Sequence, residues 1–393
     1  MKIIYKEMFP EKSENTKIKK QITQKAKDIG FDLVGFTNAD PFPRDEKAAT
    51  NRIDLGFMDG LPWYTKERVK KANNPKLLME NCESIISLGI SYFTPTPEKS
   101  KNVLTGKISK YALGVDYHKV IKKKLKLLVK FLSEIHSEKK ISTRIFVDDG
   151  PMNDRAAAER AGLGWFGKNT NILTPSHGSW IFLAQILTNI KLEPDTLLKK
   201  TCGSCKICID DCPTNAIVAP YVIDNTKCIS FLTIELKGVI PVKLRPLIGT
   251  WIFGCDICQD VCPVNRKIQP SKTSEFQPRK DFLTPALLPF LDLNEDSFNK
   301  IFDNHPIKRT KLIGLKRNVC VALGNIKDTD AIEKLTKTLL ESDPIVKQHA
   351  AWAIGQIGGD KANQNLHNAL EVENNTDVIE EIKSAIIQTK MIH

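Results

Sequence analysis

Eight of the ten cysteines of this 393-residue chain lie in one short stretch: Cys202, Cys205, Cys208, Cys212, Cys228, Cys255, Cys258 and Cys262. The first four have the spacing C-x2-C-x2-C-x3-C and precede Pro213, which is the spacing of a run that binds a [4Fe–4S] cluster. The last three repeat the end of this run before Pro263, but Ile252 stands where its first cysteine is expected. Cys228, alone between the two runs, is the obvious replacement. The stretch therefore has ligands for two clusters.

In two-cluster ferredoxins the fourth cysteine of each run binds the other cluster. This rule predicts two sets of ligands: Cys202, Cys205, Cys208 and Cys262 for one cluster, and Cys212, Cys228, Cys255 and Cys258 for the other. CxxC pairs also bind zinc, but a run that ends in Cys-Pro and occurs nearly twice favours the clusters. We expect residues 196–268 to form a ferredoxin-like domain with two [4Fe–4S] clusters.

The remaining bulk properties describe an ordinary globular protein with room for two or three domains. No stretch approaches the ~18 uninterrupted apolar residues of a membrane span, and Met1 to Lys20 lacks the apolar core of a signal peptide. Cysteines clustered as metal ligands favour a reducing compartment. We therefore expect a cytoplasmic monomer without membrane contact, in which Cys82 and Cys320 are inert core residues.

The positive charge of the chain is concentrated in its N-terminal half. The formal net charge is +12. Residues 1–199 contain 34 Lys and Arg against 23 Asp and Glu, residues 200–305 contain 12 of each, and the rest contain 12 against 11. A localised basic surplus indicates a polyanionic partner such as nucleic acid, although a lysine-rich solvated surface would produce the same surplus.

Residues 1–195 alternate between helical and strand patterns. Helices are predicted over 16–30, 116–136 and 153–161, and strands over 31–37, 84–92, 143–147 and 179–187. Residues 40–64 read as irregular. The alternation predicts an α/β or α+β domain.

Asp148 is the best candidate for acid chemistry. It follows the strand over 143–147 and precedes Gly150 and Pro151, at the end of a strand where α/β domains place ligands. A desolvated carboxyl group there could donate a proton. Alternatively, Asp148 or Asp149 only caps the helix that begins near Asn153.

The C-terminal part contains an internal repeat. Residues 317–326 match residues 348–357 at an offset of 31, which is typical of HEAT-like helical repeats. Residues 307–393 are expected to form this α-solenoid, and the proline-rich residues 269–306 a linker with short helices. About two repeats and a final helix fit, so this module should pack on the rest of the chain.

Several segments together resemble the epoxyqueuosine reductases, enzymes of the last step of queuosine synthesis in tRNA. They are YALGVDYHKVIKKKLKLL (111–128), DDGPMNDRAAAERAGLGWFGKN (148–169), GSWIFLAQILTN (178–189), the split cysteine motif and KRNVCVALGN (316–325). The resemblance implies cobalamin held base-off in an N-terminal domain like that of reductive dehalogenases. The D-x-H-x-x-G motif of proteins that ligate cobalt through histidine is not completed, because Ile121 follows Asp116-Tyr117-His118 where Gly is required.

The same resemblance assigns roles to individual residues. Asp148 becomes the proton donor, although Asp149 stands where the family often has Ser or Thr. The positions that match cobalamin contacts are Lys71, Tyr111, Asp148, Ile172, Gln185, Ser230 and Asp256.

The implied reaction is the reduction of epoxyqueuosine to queuosine in a tRNA anticodon loop, with electrons from an external low-potential donor passing through both clusters to cobalamin. A tRNA substrate requires phosphate contacts, predicted at Lys237, Lys243, Arg245, Lys308, Arg309, Lys311, Lys316 and Arg317. The sequence leaves two alternative functions open. Under these alternatives, the protein is either another cobalamin reductase that acts on a small molecule, such as a dehalogenase, or a non-catalytic electron-transfer or RNA-binding protein.

Overall fold

The structure is a computed structural model that describes residues 10–95, 104–136 and 140–391. The strands in these residues are β1 (Leu33–Asn38), β2 (Ser84–Ser91), β3 (Lys107–Ile108), β4 (Thr143–Phe146), β5 (Trp165–Phe166), β6 (Ile172–Leu173), β7 (Ile181–Thr188), β8 (Ile217–Ala219), β9 (Val222–Ile223) and β10 (Trp251–Phe253).

The helices of the sheet-containing and cysteine-rich parts are α1 (Pro10–Ile29), α2 (Pro43–Asp54), α3 (Lys66–Ala72), α4 (Pro75–Leu78), α5 (Tyr117–Ile135), α6 (Asp154–Arg160), α7 (Ile207–Asp210), α8 (Ile229–Ile234), α9 (Arg245–Ile248) and α10 (Ile257–Asp260). Those that follow are α11 (Lys280–Leu283), α12 (Leu288–Leu291), α13 (Glu295–Ile301), α14 (Lys311–Ile326), α15 (Ile332–Glu341), α16 (Pro344–Ile357), α17 (Asp360–Val372) and α18 (Thr376–Met391).

A four-stranded sheet in the order β1-β2-β7-β4 is the centre of the N-terminal part. Each neighbouring pair is antiparallel, so the α+β description fits this sheet better than a parallel α/β one. All eight residues of β2 are buried, because helices cover both faces of the sheet. This burial agrees with the composition of β2, which contains no charged residue and in which serine is the only polar residue type.

The two faces of the sheet carry different helices. Helices α1 and α5 pack on one face through residues such as Ile22 and Leu125, which are fully buried beside Ile86 and Ile186. Helix α6 packs on the other face through its alanines. At Gly35 of β1, an added Cβ would lie 2.2 Å from the carbonyl oxygen of Ala161, so only glycine allows this close approach.

One predicted element is wrong. Residues 40–64 were expected to be irregular, but Pro43–Asp54 forms helix α2, with Pro43 at its first turn. Proline is favoured at this position because its missing N–H would have no partner inside the helix. The predicted helix over 16–30 begins earlier than expected, at Pro10.

The C-terminal helices form two layers, as expected for HEAT-like repeats. Helices α14, α16 and α18 pack side by side, with α15 and α17 outside them. Gly324 and Gly355 occupy equivalent positions of the repeat, and an added Cβ would lie 2.6 Å from the Trp352 ring and 2.8 Å from Ala385, respectively. The repeat in the sequence therefore corresponds to a repeated close contact between helices.

The helical repeats share one hydrophobic core with the cysteine-rich part, so the module packs on the rest of the chain as expected. Ile252 and Phe253 of β10 are fully buried in this core together with Leu315 and Val319 of α14. Residues 269–306 contribute further aromatic side chains to it: Phe282, Phe290, Phe298 and Phe302. This segment is therefore a packed layer as well as a connection.

Cys82 and Cys320 are fully buried. Burial raises the pKa of Cys82 to about 11 and that of Cys320 to about 12, which agrees with their expected inertness. Among the helices in the described parts of the chain, none is both long and apolar enough to span a membrane.

Candidate active site and cluster-binding segment

Asp148 lies on an exposed loop immediately beyond β4. Its backbone is left-handed, with φ of 51°, a conformation that non-glycine residues adopt rarely and often at functional sites. The hydroxyl of Tyr117 donates a hydrogen bond of 2.5 Å to Oδ2 of Asp148. No other polar group in the described residues bonds this carboxylate, so Oδ1 is available to a substrate.

The neighbouring Asp149 is engaged in the structure of the loop. Its Oδ1 accepts a hydrogen bond of 2.9 Å from the backbone N–H of Val147, and its Oδ2 pairs with Lys122. Helix α6 is capped by Asn153, whose side chain accepts from Ala156 N–H. The capping alternative for Asp148 and Asp149 is therefore wrong.

Tyr117 is held firmly in place by aromatic packing. Its ring stacks on Phe182 at 4.2 Å between centroids and on His118 at 4.1 Å. Burial raises the pKa of the Tyr117 phenol well above its usual range, and the charge of Asp148 raises it further. The phenol therefore stays protonated and remains a donor to Asp148.

Tyr111 connects the Asp148 loop to the cysteine-rich segment. It contacts the rings of both Tyr117 and Phe253. Burial raises the pKa of Tyr111 well above its usual range, and the charges of Asp148 and Asp256 add to this effect. Both carboxylates therefore act on this one phenol, as expected if all three line a common site.

An ion pair between Arg309 and Glu235 also faces this site. Burial lowers the pKa of Arg309, but the hydrogen bond to Glu235 and the charges of Glu235 and Asp148 outweigh this effect. The pKa of Arg309 is therefore raised. The sequence singled out Arg309 only as a phosphate contact and did not single out Glu235. No motif marks this pair, because its partners lie 74 positions apart.

Gln185 and Ile172 line the sheet side of the site. Gln185 of β7 is fully buried, and its Nε2 donates to the carbonyl oxygen of Asp154 at 3.2 Å. Its Oε1 is also buried and lacks a partner among the described residues, as do Ser87 Oγ and Asp154 Oδ1. Ile172 is buried with Ala158 and Leu163. The site thus combines an apolar wall with unused hydrogen-bond acceptors.

Lys71 lies at the exposed end of α3, with Nζ 2.9 Å from Glu67. The same helix contacts the segment that follows β4 and carries Asp148, since Arg68 donates to Gly150 O at 2.9 Å and Asn153 N–H donates to Ala72 O at 3.0 Å. Lys71 is thus near the loop but has no contact with Asp148.

Asp256 and Ser230 border the cysteines. The buried carboxylate of Asp256 accepts hydrogen bonds from Ser109 Oγ and, at 2.8 Å, from Lys110 N–H. Burial raises the pKa of Asp256, whereas Lys110 and Ser109 oppose the shift. Ser230 lies in the first turn of α8, which begins directly after Cys228. Asp256 therefore fastens the cysteine-rich segment to the N-terminal part.

Neighbouring cysteines affect the pKa values of five of the eight clustered thiols. Burial raises the pKa of Cys208 to about 11, with further contributions from Cys202, Cys262 and Cys205. Burial likewise raises the pKa of Cys258, with the main charge contributions from Cys228 and Cys255. Cys212 acts on Cys228 and Cys255. For these five thiols, the largest contribution from another cysteine comes from the same predicted set, although Cys208 also contributes to Cys258.

The two sets differ in their surroundings. Cys228 and Cys255 pack against the hydrophobic core of the helical repeats, and we call their set, with Cys212 and Cys258, the inner cysteines. Cys202 and Cys205 are flanked by exposed residues such as Gly203 and Lys206, and we call their set, with Cys208 and Cys262, the outer cysteines.

Two of the predicted phosphate contacts are wrong, because Arg245 and Arg317 are fully buried. Arg245 forms an ion pair with Glu381 at 2.8 Å. Arg317 donates to the backbone carbonyl groups of three residues, which are Leu232, Leu236 and Gly238. Their role is to anchor the helical repeats.

The other predicted phosphate contacts are at least partly accessible. Lys243 and Lys311 are exposed, and Lys308 and Lys316 are half-buried. Lys237 is exposed and donates to the carbonyl oxygens of Ile234 and Arg309 at 3.0 and 2.9 Å. It therefore supports the backbone that carries Arg309.

Fold and site together define an iron–sulfur protein with a helical-repeat module. Three family models match: a 4Fe-4S double cluster binding domain over residues 201–265, epoxyqueuosine reductase QueG over 73–149, and HEAT repeats over 313–387. Among the described residues, no three His, Cys, Asp or Glu side chains converge closely enough to hold a single metal ion. The double-cluster match agrees with two [4Fe–4S] clusters rather than zinc.

Similar proteins define the family further. The chain is 36% identical to the epoxyqueuosine reductase of Bacillus subtilis, covering 94% of this chain and 95% of that protein. It is 37% identical to that of Escherichia coli over 86% and 89%, respectively. A solved epoxyqueuosine reductase with an epoxyqueuosine-modified tRNA-Tyr stem loop matches with a TM-score of 0.90 and 35% identity, covering 96% of this chain and all of that one. The chain belongs to the epoxyqueuosine reductase family.

Proposed function

We propose that this protein reduces epoxyqueuosine to queuosine in the anticodon loop of tRNA. The observation that carries the proposal is Asp148, an exposed carboxyl group fixed by Tyr117 within a fold that matches a reductase solved with a modified tRNA stem loop. Removal of the epoxide oxygen as water requires two electrons and two protons. The two clusters would deliver the electrons, and Asp148 would donate a proton.

The residues of the site fit cobalamin. Its rim carries carboxamide groups, whose N–H donors match the partnerless acceptors Gln185 Oε1 and Ser87 Oγ. Tyr111, Ile172, Gln185, Ser230 and Asp256 would hold it between the sheet and the inner cysteines, with Lys71 at the margin. When bound base-off, cobalamin would supply a strongly reducing centre beside the substrate.

Asp148 would give its proton from Oδ1 to the departing oxygen, as a general acid. Tyr117 would keep its hydrogen bond to Oδ2 and stabilise the carboxylate that remains. The Arg309–Glu235 pair borders the same space, where its cation would attract an anionic substrate backbone and favour the ionised product state of Asp148.

Exposed cations next to this space would position the tRNA. The side chains of Lys243, Lys308 and Lys311 reach solvent, and Lys308 is next in sequence to Arg309, whose pKa is raised in part by the charge of Asp148. Phosphate contacts fix the register of an RNA without reading its sequence. A base-modifying enzyme must also take its target nucleotide out of the stack, which the open loop at Asp148 would allow.

The decisive experiment is anaerobic turnover of an epoxyqueuosine-modified tRNA stem loop by the reconstituted protein. Product formation with stoichiometric cobalt and two clusters is the expected result. Turnover of halogenated aromatic compounds in its place would instead identify a small-molecule reductase, and iron and sulfide without bound corrinoid would identify a non-catalytic protein.

A further inference from the structure

We propose that the surface over the outer cysteines is the docking site of an acidic one-electron carrier protein. This inference goes beyond the proposed function, because it depends on the two clusters and not on the tRNA substrate. Electron transfer weakens steeply with distance, so an external protein must approach the cluster nearest the surface. The outer cysteines are flanked by exposed residues, so the cluster that they would hold is the one nearest the surface.

The outer cysteines lie beneath a small exposed apolar area. Gly203 has no atom within 4 Å of the position that a Cβ would take, so the chain beside Cys202 is open to solvent. Ile207 is 37% exposed and Tyr221 is 39% exposed. Tyr221 belongs to this area because hydrogen bonds through Lys168 connect it to the Gly203 loop.

Cations surround this area without neutralising acids in the same segments. Residues 196–208 and 262–274, which carry the four outer cysteines, contain six cations and no Asp or Glu: Lys199, Lys200, Lys206, Arg266, Lys267 and Lys272. All six are exposed. Only Lys206 forms an ion pair within the described residues, at 3.6 Å from Asp210.

A seventh cation fixes the loop itself. Lys168 donates from Nζ to the carbonyl oxygen of Gly203 at 2.8 Å, and its own carbonyl accepts from Tyr221 N–H at 3.0 Å. This contact ties the Gly203 loop to the exposed Tyr221. The apolar centre is therefore a preformed surface, on which a partner can dock without ordering a flexible segment.

This arrangement suits a transient electron-transfer complex. Such complexes have small interfaces, and complementary charges on their rims accelerate encounter rather than strengthen binding. RNA is a less suitable occupant, because Asp148 is held by Tyr117 on the loop after β4, whereas the outer surface is built on the Gly203 loop, which Lys168 holds. An RNA seated at the catalytic loop would not need the outer surface.

The redox step is simple. In each encounter the reduced carrier loses one electron and the oxidised outer cluster gains one, with no bond made or broken. The electron then passes to the inner cluster, which frees the outer cluster for a second encounter. Two encounters supply the two electrons of one epoxide reduction.

The test measures the second-order rate of cluster reduction by a reduced acidic flavodoxin, in anaerobic stopped flow with the holoenzyme. In the double variant Lys199→Glu/Lys267→Glu, this rate should fall about tenfold or more at low ionic strength. The difference should disappear at high salt, because screening removes long-range attraction. The rate with dithionite, a small anionic reductant that needs no docking surface, should stay unchanged at high salt.

A matched control is Lys361→Glu/Lys383→Glu, which makes the same change in net charge at exposed positions of the helical repeats. Its rate with flavodoxin should remain near that of the unmodified protein. Equal rates for both double variants would overturn the proposal. So would a loss of affinity for the tRNA stem loop in the first variant with unchanged reduction by flavodoxin, which would make the surface an RNA contact. Turnover with dithionite tests the proposed function separately.

Discussion

The catalytic loop and the surface over the outer cysteines are both exposed and both bordered by cations, but they differ in how their atoms are held. At the loop, Asp148 is fixed by a 2.5 Å hydrogen bond from a buried tyrosine and by a left-handed backbone. Over the outer cysteines, five of the six cations in the adjacent segments have no ion-pair partner among the described residues. The loop therefore holds one carboxylate in a fixed position, whereas the surface over the outer cysteines carries a diffuse positive charge.

This difference follows from what each region would do. Proton transfer to a departing oxygen requires a donor at hydrogen-bond distance, so small displacements are costly. Electron entry requires only proximity, and charge steering tolerates many arrangements. Single substitutions should therefore have large effects at the loop and small, salt-dependent effects over the outer cysteines.

The largest effect is expected for Asp148→Asn. Loss of a general acid should lower the rate of product formation roughly a thousandfold, with both clusters and the corrinoid retained. Single-turnover assays with the modified stem loop measure the rate, and metal analysis measures the cofactors. Asp149→Asn is the matched control and should cost far less, since Asp149 only supports the loop. Equal losses in the two variants would remove the role of Asp148.

Cys228→Ser and Cys202→Ser compare the inner and outer cysteines directly. Each variant should retain about four of eight irons, because each removes a ligand of one cluster. The Cys228→Ser variant should lose turnover with every reductant, because the inner cluster adjoins the active site. The Cys202→Ser variant should keep part of its turnover with dithionite, which can reach the inner cluster without a docking partner. The opposite pattern would reverse the order of the clusters.

Tyr117→Phe tests the positioning of the acid. The aromatic stacking on Phe182 is kept, but the hydrogen bond to Asp148 is lost. A hydrogen bond to a charged group is worth about 1.5–3 kcal/mol, so kcat should fall by about tenfold or more while KM for the stem loop stays constant. An unchanged kcat, or a change in KM alone, would show that Tyr117 does not act through Asp148.

The sequence predicted those parts of the molecule in which function depends on local spacing. The double-cluster domain followed from the cysteine runs, the helical repeats from a 31-residue offset, and the place of Asp148 directly after a strand from the strand pattern over 143–147. The division of the cysteines into two ligand sets and the role of Asp148 stay predictions. Gly324 and Gly355 show why the repeat is so regular, since both allow the same close helix contact.

Features that depend on tertiary packing were not predictable in this way. Arg317 and Lys311 are both basic residues near the start of α14, yet Arg317 is buried against carbonyl groups and Lys311 is exposed. The pair of Glu235 and Arg309 joins distant segments, so no sequence pattern marks it. The antiparallel order of the sheet likewise depends on how β7 inserts between β2 and β4.

The smallest effects are expected at the exposed cations near the catalytic loop. Lys308→Ala and Lys311→Ala should each weaken binding of the stem loop only a few-fold and reduce the slope of log affinity against log salt by about one. Equilibrium binding at several salt concentrations measures both quantities.

Arg317→Met is the informative contrast, because this substitution removes buried hydrogen bonds between the helical repeats and residues 232–238. It should lower the urea midpoint of unfolding and leave the salt slope of the folded protein unchanged. A reduced salt slope in Arg317→Met, or an unchanged one in Lys311→Ala, would mean that burial does not separate RNA-binding cations from structural ones.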